Sequence, residues 1–184
     1  MNGLVIFTLL LLVPLIWVIV QYNSLVGLRN HISESWSNVD TELKRRYDLI
    51  PNLVSTVKGY AAHERETLER VVELRNRCLE NHGSVSAQER DETQLVDALK
   101  NMFVLVENYP QLKADQHFLK LQGELINTEN RIQAARRFYN GNVRDYKNKC
   151  ETFPSNLVAG GFGFKTMEFF SVPPVVAEVP EMSF

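Results

Sequence analysis

The chain has 184 residues, 45% of them apolar and 23% charged, with a formal net charge of −2. That balance excludes a disordered polyelectrolyte, and it excludes a chain-wide nucleic-acid binder, which carries a strong basic excess. Two cysteines, Cys78 and Cys150, cannot build a disulfide framework of the secreted mini-protein kind, and neither stands in a CxxC pair.

The first element is an apolar run. Residues 3–20 contain no charged side chain, so all 20 Lys and Arg and all 22 Asp and Glu lie outside these 18 positions. As a helix, the run spans ~27 Å, close to the hydrocarbon thickness of a bilayer. Trp17 and Tyr22 stand near its downstream end, where amphipathic aromatics favour the membrane–water interface. Pro14 is tolerable in such a segment. A cleaved signal peptide needs a basic start, a shorter apolar core and a small-x-small site. Here no Lys or Arg precedes the run, and QYNSL at 21–25 offers no such site. No Cys follows the run to carry a lipid. The run reads as an uncleaved single-pass anchor. Arg29 and then Lys44, Arg45 and Arg46 are the first basic side chains downstream, which favours a cytoplasmic body, with a periplasmic body as the alternative. Two unpaired cysteines fit a reducing compartment.

The body shows helical spacing throughout. Leu25, Leu28, Ile32, Trp36, Val39, Leu43, Tyr47 and Ile50 share one face of a first helix, which can continue directly from the anchor. Pro51 predicts a kink or break there, because it lacks a donor and restricts Ile50. A second stretch carries Leu53, Val57, Tyr60, Glu64, Leu68, Val71, Leu74 and Cys78. The polar run at 81–84 predicts a turn, and Ser86 with Glu89 predicts a capping box. A third helix carries Leu95, Leu99, Met102, Val106 and Tyr109 and ends before Pro110. Asp115 is the expected N-cap of the last helix, and Pro154 closes it. Its near-heptad seam runs through Phe118, Leu121, Leu125, Thr128, Ile132, Ala135, Tyr139, Asn142, Tyr146 and Cys150.

The expected fold is all-α: a transmembrane helix (1–22), an antiparallel, elongated bundle of long helices with coiled-coil-like packing (23–152), and an irregular aromatic, Pro-rich C-terminal tail (153–184). The tail holds Phe153, Phe162, Phe164, Phe169 and Phe170 around Gly160, Gly161 and Gly163. It is too apolar for a solvated linker. Packing on the chain's own bundle is expected for 153–170, and an extended end beyond Ser171.

Motifs for chemistry are scarce. A di-iron bundle needs Glu-x-x-His, but the residues three before His31, His63, His82 and His117 are Leu28, Tyr60, Leu79 and Ala114. His63-Glu64 opens like a zinc-protease motif, but Thr67 stands where the second His belongs. No phosphate-binding glycine motif and no GxSxG occurs. Cys78 and Cys150 fall on apolar faces, where a thiol is usually a small core residue. No catalytic, cofactor-binding or metal-binding residue is assigned, and no cofactor or nucleic acid is expected. Glu64, Glu107, Glu129 and Arg136 lie on or beside expected inner faces and are candidates for buried polar or salt-bridge roles. A polar ligand groove is the rival reading.

Several blocks resemble the LemA family of bacterial proteins: YNSLV at 22–26, WSNVD at 36–40, LKRRYDLIPNLV at 43–54, VKGY at 57–60 with His63 and Glu64, ENYP at 107–110, LQGELINTEN at 121–130 and ARRFYN at 135–140. Pro154, Ser155, Asn156, Gly163 and Phe164 complete the pattern, which covers roughly residues 4–170. Phe138 is bulkier than the pattern leads one to expect, and the segment after Ser171 lies outside it. The resemblance implies a single-pass protein of the bacterial inner membrane with an antiparallel helical bundle. It implies no established enzymatic activity and supplies no catalytic residues.

The reading is a non-enzymatic scaffold, anchored in the lipid bilayer, that self-associates into a homo-oligomer. Trp36, Tyr47, Phe153, Phe162, Phe164, Phe169 and Phe170 are its candidate interface residues, because exposed aromatics dominate interfaces. The alternative is an adaptor that presents bundle or tail to an envelope protease, sensor or secretion component. An enzyme with a polar interhelical site ranks last.

Overall fold

The structure is a computed structural model and describes residues 2–175. The described residues form six helices and no strand: α1 (Asn2–Tyr60), α2 (Arg65–Glu80), α3 (Val85–Val106), α4 (Pro110–Lys113), α5 (Gln116–Glu151) and α6 (Ser155–Gly161). The all-α class is what the periodicity leads one to expect.

α1 is a single helix of 59 residues that contains the apolar run and the first body helix without interruption. Its start is long and apolar enough to cross a membrane. Phe7, Leu10, Val13 and Val20 stand exposed, an arrangement unfavourable in water and natural in hydrocarbon.

α1 does not break at Pro51. Pro51 has no N–H to offer the carbonyl of Tyr47, four residues back. Arg75 of α2 supplies the missing donor, its Nε reaching Tyr47 O at 3.1 Å. With that carbonyl satisfied, the helix continues to Tyr60. The break falls at residues 61–64, where Glu64 N–H donates to Ala61 O at 3.1 Å.

Two compact units divide the described residues, and both long helices contribute to each: residues 2–36 with 138–168 form the first, and 37–137 with 169–175 form the second.

In the first unit, the early part of α1 runs antiparallel to the late part of α5. Asn142 Nδ2 donates to His31 O at 3.3 Å, and Trp36 packs on Tyr139 with ring centroids 5.2 Å apart. Leu25, Ile32, Val143 and Tyr146 are buried between them. The tail is not wholly irregular, because α6 forms within it. Ser155 closes the turn after α5, donating to Lys149 O at 2.7 Å and Thr152 O at 2.8 Å. α6 ends in a Schellman motif: Phe164 N–H reaches Ala159 O at 2.9 Å, Gly163 N–H reaches Gly160 O at 3.3 Å, and Gly163 has φ 71°. The glycines that look like a loop are therefore partly the last turn and stop of a helix.

The second unit packs α1 after residue 36, α2, α3 and α5 before residue 138 around Leu43, Ile50, Leu53, Leu74, Leu95, Leu99, Phe118 and Leu125. α2 and α3 form an antiparallel hairpin, tied by Arg77 Nε to Asp91 at 3.0 Å and Asn81 Nδ2 to Asp91 at 2.6 Å. α3 is capped by Ser84, whose Oγ accepts from Ala87 N–H at 3.2 Å, and not by the expected Ser86. Glu89, the expected partner in that box, accepts from Ser171 N–H of the tail at 2.9 Å. Asp115 does cap α5, accepting from Phe118 N–H at 2.8 Å and from the Tyr60 hydroxyl at 2.9 Å. The Phe118 amide and Tyr60 hold its carboxyl below the usual range. Phe170, Val172 and Val175 are buried in this unit, and Arg136 donates to Val172 O. The extended end expected beyond Ser171 falls mostly outside the described residues.

Candidate functional site

The most distinctive group in the second unit is a closed cluster of charge. Arg46 of α1, Glu92 of α3 and Glu129 of α5 have side-chain exposures of 0%, 0% and 5%. Each lies in heptad phase with apolar neighbours: Arg46 between Leu43 and Leu53, Glu92 before Leu95 and Leu99, Glu129 between Leu125 and Ile132. Ordinary helical packing therefore carries all three inward.

The fork of Arg46 divides between two helices. Nη1 donates to Glu129 Oε1 at 2.9 Å, and Nη2 donates to Glu92 Oε2. The other oxygen of Glu92 accepts from the Tyr47 hydroxyl and from Gln88 Nε2 at 3.2 Å. Gln88 also donates to the Tyr47 hydroxyl at 3.1 Å. Arg46 Nε has no hydrogen-bond partner among the described residues.

Burial works against the charge on Arg46, but Glu92 and Glu129 outweigh it and hold the guanidinium protonated, above its ordinary range. Burial and the facing Glu92 raise the Tyr47 hydroxyl strongly. The same two causes raise the Cys78 thiol, which makes it a poor nucleophile. One guanidinium set between two carboxylates can fix the register of three helices. It is a lock whose side chains are closed off from the surface, without an open side for a reactant.

The four charged residues singled out from the sequence do not converge. Glu64 accepts from the Tyr109 hydroxyl at 3.3 Å, and Glu107 pairs with Lys113 at 2.5 Å on the surface. Glu129 joins the cluster, and Arg136 binds the tail carbonyl of Val172. Arg46, Tyr47, Gln88 and Glu92 are not among those four. Strict 3–4 phasing of α1 and α3 is the signal that marks Arg46 and Glu92.

The aromatic candidates divide by exposure. Tyr47 and Phe170 are buried inside the second unit and present no surface to a partner. Trp36 is half-buried on Tyr139, and Phe164 is half-buried on Tyr22 at 5.5 Å. Phe153, Phe162 and Phe169 remain exposed. Among the described residues, no three of His, Cys, Asp and Glu come together in a metal-holding group. Surface depressions of the second unit include three among the described residues, one of them of about 640 Å³ beside Val54, Lys58 and Val72. A charged groove of about 980 Å³ runs between α2 and α3, lined by Arg65, Glu69, Arg70, Glu73 and Asp97. An apolar trough of about 430 Å³ is bordered by Phe103, Val104, Leu119, Lys100 and Val175.

Comparison with known proteins gives a consistent result. The model of the LemA family matches residues 35–184, so the similarity includes the tail beyond Ser171 that the motif blocks leave out. Protein LemA of Metamycoplasma hominis is 27% identical over 141 residues, which is 74% of this chain and 63% of that protein. Magnetosome protein MamQ 2 of Paramagnetospirillum magneticum is 24% identical over 181 residues, and magnetosome protein MamQ of Magnetospirillum gryphiswaldense is 22% identical over the same length. Each alignment with MamQ takes in 85% of this chain and 66% of the relative. The chain thus spans a little under two thirds of the length of these relatives, and none of their names denotes an enzymatic activity.

Proposed function

The chain belongs to the LemA family, and on that footing we propose that it is a membrane-anchored, non-enzymatic scaffold that self-associates at a bacterial inner membrane, with its body in the cytoplasm. The observation that carries this reading is the closed cluster of Arg46, Glu92 and Glu129. The polar groups that could have served chemistry are consumed in pairing helices, and Cys78 beside them is held as a thiol. What remains for function is surface. In the second unit the apolar trough at Val104 and Leu119 is the face we assign to a second copy of the chain, because both side chains are exposed and apolar.

The test is particle mass. Full-length protein purified in detergent is expected to scatter light as a multiple of its 21.2 kDa chain mass. V104E with L119E is expected to shift it toward the monomer. A monomer at micromolar concentration removes the reading. A monomer that retains one unrelated protein in stoichiometric amount favours an adaptor that presents its bundle or tail.

A further inference from the structure

The tail around α6 has no charged side chain from residue 153 to 164, a run of FPSNLVAGGFGF. Its inner face is buried through Ser155, Val158 and Ala159. Its outer face is not polar, as a surface helix in water should be. Phe153, Leu157 and Phe162 are 75%, 64% and 59% exposed.

The position of this face follows from contacts within the first unit. Phe162 stacks edge-on against Tyr22 with centroids 5.0 Å apart, and Phe164 does so at 5.5 Å. Tyr22 stands two residues past the end of the apolar run at Val20. If residues 3–20 cross a bilayer, any ring in contact with Tyr22 lies at the boundary between acyl chains and headgroups. The antiparallel pairing of α1 and α5 leads to the same level. His31 meets Asn142 and Trp36 meets Tyr139, so the end of α5 near Glu151 returns toward Tyr22. The guanidinium of Arg29 lies 5.7 Å from the centre of the Phe164 ring, and Lys165 follows directly, which puts two cations where lipid phosphates begin.

We propose that residues 153–164 are a second membrane contact, in which Phe153, Leu157 and Phe162 enter the bilayer interface beside the transmembrane anchor. The occupant of this apolar face is the phospholipid surface and not a second copy of the chain. The contact fixes the tilt and rotation of α1 and α5 against the membrane, which a single span leaves free. It rests on the reading of residues 3–20 as a membrane span.

The test uses full-length protein in phosphatidylcholine vesicles brominated near the top of the acyl chains. The wild-type tryptophans are Trp17 and Trp36. One variant, W36F, keeps Trp17 as reporter of the anchor. Two more carry W17F and W36F with either F162W or F138W. Phe138 is equally exposed at 62% and sits beside Tyr139, opposite Trp36. By helix rise it lies ~21 Å farther along α1 than Tyr22. Trp17 and F162W are expected to lose about half of their emission, and F138W almost none. Quenching of Trp17 without quenching of F162W overturns this inference alone. A blue-shifted but unquenched F162W assigns the face to protein and overturns it equally. Failure to quench Trp17 overturns the anchor itself. The unsubstituted protein gives an independent readout: a photoactivatable phospholipid should label the tryptic peptide 150–165, and absence of label there sinks the proposal.

Discussion

The same two helices are held together in two different ways. In the first unit, α1 and α5 meet through rings and aliphatic side chains: Trp36 on Tyr139, Leu25, Ile32, Val143 and Tyr146, with Phe162 and Phe164 on Tyr22. In the second unit an apolar core around Leu43, Leu53 and Leu125 also holds Arg46 paired with Glu129, with Glu92 brought in from α3. Among the described residues, every buried charged side chain lies in the second unit. Apolar seams tolerate small slips of one helix past another, whereas a guanidinium shared by two carboxylates is satisfied in one register only. The charged unit is therefore the one whose geometry is fixed from within. The aromatic unit is the one that the proposed contact of Phe153, Leu157 and Phe162 with the bilayer interface would orient.

The sharpest test of this contrast is to remove one charge. R46M leaves Glu92 and Glu129 buried without the cation they share and is expected to cost about 3–5 kcal/mol in urea melts followed by circular dichroism. The triple change R46M, E92L and E129L removes all three buried charges at once, against the smaller loss of the acceptor for the Tyr47 hydroxyl and Gln88, and is expected to cost far less than R46M. If the triple variant is as damaged as R46M, the cluster contributes stability beyond register.

The next effect concerns Pro51. R75A strips the Tyr47 carbonyl of its substitute donor and is expected to cost about 1–3 kcal/mol. Adding P51A restores a backbone N–H four residues on and should recover most of that loss in a double-mutant cycle. Additive losses would mean that Arg75 does not stand in for the missing helical bond.

An alkaline limit follows from the raised groups. Cys78 and Tyr47 keep their protons in the folded state well above their ordinary values of 9.0 and 10.0, first through burial and then through Glu92. Burial pushes Tyr139 and Tyr146 up to about 12. The folded state thus binds more protons than the unfolded one above pH 9, so stability is full below that value and falls as pH rises. Thermal melts in a pH series should show the fall, and Y47F should flatten it. A melting temperature unchanged up to pH 11 would contradict the burial of these groups.

The smallest change expected is in the first unit. Y139F removes one hydrogen bond, from the Tyr139 hydroxyl to Glu168 O at 2.9 Å, and should cost about 1 kcal/mol because the ring stays in place. A loss as large as that of R46M would erase the distinction between the units.

Much of the fold is legible in the sequence because it rests on local periodicity. The inward faces of α1, α2 and α5, the Asp115 cap and the turn at 81–84 follow from spacing and capping chemistry. Spacing points to Ser86 as the cap of α3 where Ser84 does the work, because two serines offer the same hydroxyl two residues apart and only the helix start decides between them. α6 is hidden in the sequence because glycines at 160 and 161 read as a loop, whereas the φ of 71° at Gly163 shows where the chain turns. Of the charge cluster, only Glu129 is singled out from the sequence, because Arg46 and Glu92 show as inward only when the 3–4 phase of α1 and α3 is carried through charged positions.

The sequence by itself determined the long apolar start of α1, the helical class and the family, since these depend on run length, period and blocks of matching residues. Tertiary structure alone decided which charges are buried together, and how α1 passes Pro51. The reason is physical: Arg46, Glu92 and Glu129, like Arg75 and the Tyr47 carbonyl, are distant in the chain, and their partnership exists only once the helices that carry them have packed.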